Sequence, residues 1–182
     1  PVFSYLIEGI NIKVKKHNYK MNIIYMNSSD SYEEQMHVIV NSGCIGFIVY
    51  AVEMFRENLH VVEEILYPCV YLDNSFVEND VDVVAIDNYL GVTQAIDYLY
   101  SKNHRRIGYI KSRVEVQSFI ERYEAYTKIM KRNGLSVSEE DIMTVGYLEQ
   151  ETMKDVQAYI DKSKSLPTAF FADNDLLACR AV

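Results

Sequence analysis

Three groups of polar residues follow directly on short apolar runs. Asp73-Asn74 follows Cys69–Leu72, Asp87-Asn88 follows Val83–Ile86, and Asp173-Asn174-Asp175 follows Thr168–Ala172. Carboxylates accept hydrogen bonds and amides both accept and donate them, which suits the hydroxyls of a small polar ligand such as a sugar. The same residue types also cap helices. For Asp87 and Asp175 a helical pattern starts directly afterwards, which favours capping. For Asp73 and Asn174 the two readings stand level. Arg122 lies in the first turns of an otherwise apolar and acidic helical stretch, Ser118–Tyr126. Its fork of donors can clamp a hydroxyl pair or a carboxylate. The alternative is an exposed partnership one turn away, with Ser118 or Tyr126.

Catalytic signatures are absent. The chain holds no G-x-S-x-G, H-E-x-x-H, P-loop or G-x-G-x-x-G. His17, His37, His60 and His104 fall at helix ends or on helix faces, away from any local carboxylate and nucleophile. The acidic pairs Glu33-Glu34, Glu63-Glu64 and Glu139-Glu140 read as solvated helix turns. Cys44, Cys69 and Cys179 are odd in number and widely spaced, which fits neither a disulfide framework nor a zinc site. They read as buried, reduced thiols of a cytoplasmic protein. No cofactor, no metal and no enzymatic activity is therefore expected.

The elements that must position these groups alternate. Runs rich in Val, Ile, Tyr and Phe recur at Asn22–Met26, Gly46–Tyr50, Cys69–Leu72, Val83–Ile86, Arg106–Ile110 and Thr168–Ala172. Near-continuous apolar runs suit strands buried on both faces of a parallel sheet. Between them lie amphipathic helices. Phe3–His17 turns Leu6, Ile7, Ile10 and Val14 inward, and Tyr32–Asn41 turns Met36, Ile39 and Val40 inward. Asn88–Lys102 does so with Val92, Ala95, Ile96 and Leu99, and Phe119–Arg132 with Tyr123, Tyr126, Ile129 and Met130. Gln150–Asp161 does so with Met153, Val156 and Ile160. Ser29-Asp30-Ser31 can cap the second helix, and Asn18, Asn103 and Asn133-Gly134 can end others. A β-α-β-α order gives an α/β fold with parallel sheets and helices on both faces. In such folds ligands bind beyond the carboxyl ends of the strands, where the polar groups above stand.

Apolar residues make up 49% of the 182, enough for a sizeable core. A net charge of −8 disfavours direct contact with phosphate backbones. No apolar run approaches a membrane span. The first helix opens almost at residue 1 and a helical pattern is still running at Asp175–Val182, so sequence is expected on both sides. The polar stretch Lys111–Glu115 suggests a hinge, dividing the chain into a lobe over 1–111 and an incomplete lobe over 112–182.

Several segments resemble the LacI/GalR family of transcriptional regulators. His104-Arg105-Arg106-Ile107-Gly108-Tyr109-Ile110 is similar to the family's GHRRIGFI segment, with Asn103 in place of Gly. Glu121-Arg122-Tyr123-Glu124-Ala125-Tyr126 resembles its ER-x-x-GF helix start, and Pro167–Ala178 resembles PTAIFAANDLMA. Pro1–Ser4 with Gly9-Ile10, and Asp87-Asn88 with Gly91, resemble two further family segments in the same order. Lys111-Ser112-Arg113 departs from a frequent Gly-Gly-Pro, and Ile45 from a frequent Asp.

The resemblance implies a periplasmic-binding-protein-like effector domain of two Rossmann-like lobes. It would bind a small effector, a sugar or nucleobase-like molecule, and form a homodimer. Operator DNA would be held by an N-terminal helix-turn-helix outside these residues. The resemblance assigns ligand contacts to Phe3, Asp73, Ser118, Arg122 and Asn174. A secreted sugar-binding protein of an ABC transporter shares the fold and is the alternative, with an enzyme on the same fold as a third class.

Overall fold

A computed structural model describes residues 2–26, 30–52, 67–74 and 81–181. The chain divides into two compact units, one of Pro1–Phe47 with Leu66–Pro68 and the other of Ile48–Ile65 with Cys69–Val182.

The first unit contains helices α1 (Val2–Lys16) and α2 (Tyr32–Asn41). In α1 the expected residues Leu6, Ile7, Ile10 and Val14 form the half-buried stripe. Helix α2 starts with a capping box. The Ser31 hydroxyl accepts from Glu34 N, and Glu34 Oε2 accepts from Ser31 N at 2.8 Å. Ile39 is its buried anchor, whereas Val40, expected inward, is 56% exposed. Residues 22–26, expected as a strand, are irregular. Ile23 and Tyr25 are 50% and 82% exposed there, so the apolar composition is not matched by burial.

The second unit carries two three-stranded sheets. Strands β1 (Phe47–Tyr50), β2 (Cys69–Leu72) and β3 (Asp82–Val84) lie in that order, and β2 and β3 are parallel. Strands β4 (Ile107–Ser112), β5 (Ile142–Val145) and β6 (Ala169–Ala172) form the second sheet in the order β5-β4-β6, parallel throughout. The α/β class and the parallel sheets are as expected. Strand β5 is an addition, since its four residues are too short a run to stand out by periodicity.

Four helices flank the second sheet: α3 (Asn88–Ser101), α4 (Gln117–Arg132), α5 (Glu149–Lys162) and the short α6 (Asp175–Arg180). Side chains alternate along β4. Ile107 and Tyr109 therefore join Val92 and Ile96 of α3 and Ala125, Tyr126, Ile129 and Met130 of α4 in one buried cluster. Ile110 faces the other way, with Met143, Val145 and Leu177, against Val156 and Tyr159 of α5. Residues on both sides of position 111 thus share the first cluster. The Tyr126 hydroxyl donates to Ile107 O at 2.7 Å, so a fully buried phenol keeps a partner.

In α5 the inward face differs from expectation. Met153 is 59% and Ile160 44% exposed, while Thr152 is fully buried. The Thr152 hydroxyl donates to Gly146 O at 2.8 Å, and that bond makes a polar residue acceptable inside. The thiols also differ from expectation. Cys44 and Cys69 are only half-buried, and Cys179 is exposed because Leu177 takes the inner face of α6. Asn18, Asn103 and Gly134 end their helices at φ of 62°, 69° and 69°, the left-handed conformation expected of them.

Candidate functional site

Strands β4 and β6 end side by side, and Asp173 N donates to Ile110 O at 3.0 Å just past the ladder. Asp173 is 1% exposed. Its carboxylate accepts from Ser112 N at 2.5 Å and from the Tyr109 hydroxyl. Burial raises the Asp173 pKa, and those two bonds, with the Arg122 and Lys111 charges, draw it down. Burial likewise pushes the Tyr109 hydroxyl far above its ordinary pKa, with the Asp173 charge adding to it. This hydroxyl and carboxylate form an internal brace.

Arg122 stands beside that brace on α4. Its Nε donates to Asn88 Oδ1 at 2.8 Å, and its Nη1 donates to the Asp173 carbonyl. Neither Ser118 nor Tyr126 is its partner. Both acceptors are uncharged, and a guanidinium has five N–H groups, so three remain. The group is half-buried. Ser118, a turn earlier on the same helix, is 7% exposed.

Asp73 follows β2 in the left-handed region at φ 61°, with its N–H donating to Val84 O at 3.0 Å. Burial raises its carboxyl above the ordinary range. The Arg122 charge opposes that rise and the Glu121 charge adds to it. Asp73 in turn raises the Tyr50 hydroxyl, behind the larger effect of burial. Asp73 and Arg122, from the ends of different sheets, therefore act on one another.

The capping alternatives resolve individually. Asp87 caps α3, its Oδ1 accepting from Leu90 N at 2.8 Å. For α6 the cap is Asn174 and not Asp175: Asn174 Oδ1 accepts from Leu177 N at 2.9 Å. Asp175 falls inside the first turn, where a carboxylate suits the helix dipole. Asn174 keeps its amide N–H groups for other use. Phe3 lies in the first unit, on α1, and is 40% exposed. Residues that sequence reasoning did not place in the site are Tyr109, Ser112 and Glu121. Their only signals are the membership of Tyr109 in the apolar run, of Ser112 in the polar stretch after it, and of Glu121 in the Glu-Arg pair. Among the described residues no group of His, Cys, Asp and Glu could hold a metal ion, and no helix is long and apolar enough to cross a membrane.

The fold and the strand-end site define a class of protein. Residues 96–182 match the model of the periplasmic binding protein-like domain. The chain is 25% identical over 183 residues to the HTH-type transcriptional repressor CytR of Escherichia coli strain K12, covering all of this chain and 53% of the repressor. A regulatory protein of the LacI family from Chloroflexus aggregans superposes with a TM-score of 0.85 at 19% identity, over 100% of this chain and 65% of that one. The transcriptional regulator CelR in complex with cellobiose superposes with a TM-score of 0.83 at 20% identity, over 100% and 56%. The chain therefore has the fold of periplasmic-binding-protein-like domains, and it is similar in sequence to a transcriptional repressor and in structure to regulators of the LacI family. It spans about half the length of the curated relative it matches.

Proposed function

We propose that this chain senses a small polar effector, most simply a sugar, for a cytoplasmic transcriptional repressor. The observation that carries the reading is Arg122. A half-buried guanidinium at the strand ends is fixed by two neutral acceptors and keeps three N–H groups for a ligand. A half-buried cation whose direct hydrogen bonds go to neutral acceptors has capacity left that a ligand oxygen would use. Asp73 and Asn174 add an acceptor and an amide donor, and Ser118 a hydroxyl. Cellobiose in the CelR complex is a ligand of this chemical kind. Binding would shift the balance of two lobe arrangements, and a homodimer would pass the change to DNA-binding segments outside these residues. The repressor name of the CytR relative favours this over a secreted transport protein or an enzyme.

The test is a thermal-shift panel of sugars, polyols and nucleobases on the full-length protein. A ligand that binds only the folded state raises its melting temperature. A sugar that does so, and that changes affinity for operator DNA, supports the reading. Sugar binding without any change in DNA affinity would remove the sensing role, because linkage between the two sites is reciprocal.

A further inference from the structure

We infer that Asn88 is the positioning residue of the Arg122 clamp, with Glu121 setting its orientation. The inference rests on the reading of Arg122 above for its functional meaning, though not for its geometry.

Asn88 is the first residue of α3 and is 7% exposed. Its Oδ1 accepts from Arg122 Nε at 2.8 Å, and its Nδ2 donates to Glu121 Oε2 at 2.7 Å. The amide can sit only one way round. Reversed, its NH2 would face the guanidinium and its oxygen would face a carboxylate, losing both bonds. Glu121 thus selects the orientation that offers oxygen to Arg122. Neighbouring side chains on a helix point in different directions, so Glu121 cannot hold Arg122 itself. An intermediary from another element is required. Gln117 Nε2 steadies Glu121 in turn, donating to Oε1 at 3.3 Å.

The arrangement is not needed to dock α3 on α4. Val92 and Ile96 already pack with Ala125 and Ile129. At the far end Arg132 and Asn133 both reach Asp97, at 2.7 and 3.0 Å. What Asn88 adds is direction and charge. It fixes the guanidinium plane with a neutral oxygen, so the cation is held but not neutralised. An aspartate at 88 would hold Arg122 as an ion pair and meet the Glu121 carboxylate at hydrogen-bond distance. Asn88 also stands where the chain passes from β3 to α3, so the clamp is tied to the link between the two sheets.

The test reads the Arg122 Nε–H resonance by 15N NMR in the full-length protein without ligand, assigned by its disappearance in Arg122→Lys. A net hydrogen bond of ordinary strength slows solvent exchange of that proton about tenfold relative to exposed arginines. In Asn88→Ala the protection is expected to vanish while the backbone amide spectrum stays dispersed. In the double variant Asn88→Asp/Glu121→Gln the amide and carboxylate trade places, donor and acceptor still match, and protection is expected to return. Unchanged protection in Asn88→Ala overturns the inference, as does failure of the double variant to restore it. If Asn88→Ala does not fold, the exchange rate in wild type and in the double variant decides the matter. Cellobiose titration of the same samples reports on ligand binding separately, so a negative titration bears on the proposed effector and leaves the positioning result standing.

Discussion

Removing the Tyr109 hydroxyl tests the internal brace on which the Arg122 clamp leans. Tyr109→Phe keeps the ring, which is fully buried and packs edge-on to Tyr123 at 5.1 Å and tilted to Tyr126 at 4.9 Å. It deletes one bond, from the hydroxyl to Asp173 Oδ1. A hydrogen bond to a charged group contributes about 1.5–3 kcal/mol net, and the Asp173 carboxylate would be left with Ser112 N alone. The expected loss at neutral pH is therefore about 2 kcal/mol, with no cavity cost because only an oxygen is removed. The sign of the pH effect follows from what the bond favours. The hydroxyl lowers the Asp173 pKa by stabilising its ionised form, against the larger upward effect of burial. Acidifying through the raised Asp173 pKa protonates the carboxyl, and the difference between variant and wild type should then shrink. Urea denaturation of both proteins at pH 7 and at successively lower pH checks this. A loss below about 0.5 kcal/mol at pH 7, or one that grows on acidification, would refute the account of Asp173 as a braced, ionised group.

Three further outcomes follow from other elements. Asp173→Asn should remove part of the pH dependence of stability. A carboxyl whose folded pKa is raised binds its proton more tightly folded than unfolded, so wild-type stability falls as pH rises through that window; equal slopes in the two proteins across that window would contradict it. Gly108→Ala should cost about 1–3 kcal/mol, measured by denaturation, because its Cβ would lie 2.4 Å from Phe170 Cε1 and 2.9 Å from the Asp141 carbonyl. Ser31→Ala should remove the reciprocal cap of α2 at a cost of about 1 kcal/mol, and Ser31→Thr should retain most of it.

How far the sequence could be read depended on burial. The runs at β4 and β6 were plain because that sheet is covered on both faces, so nearly every side chain there is apolar. The segment 22–26 has the same composition without the burial, and composition alone cannot separate the two. Thr152 was invisible as a core residue because its acceptance inside depends on Gly146 O, which no periodicity encodes. Within the site, the capping role of Asp87 was legible because a cap bonds within its own turn. Asn88 and Arg122 are 34 residues apart, and Arg122 and Asp173 are 51 apart. Arg122 could be suspected from its type and from the family's motif, but its partners could only come from the fold. The one-residue shift from Asp175 to Asn174 as the cap of α6 is a boundary matter that local pattern rarely fixes.

The measurement closest to the central claim is calorimetric titration of the full-length protein and its Arg122→Ala variant with a sugar that raises the wild-type melting temperature. Loss of the guanidinium removes charge-assisted bonds, so affinity should fall about a hundredfold or more while the variant keeps its unfolding midpoint within a few degrees. Equal affinity in the two proteins would contradict a ligand site built on Arg122.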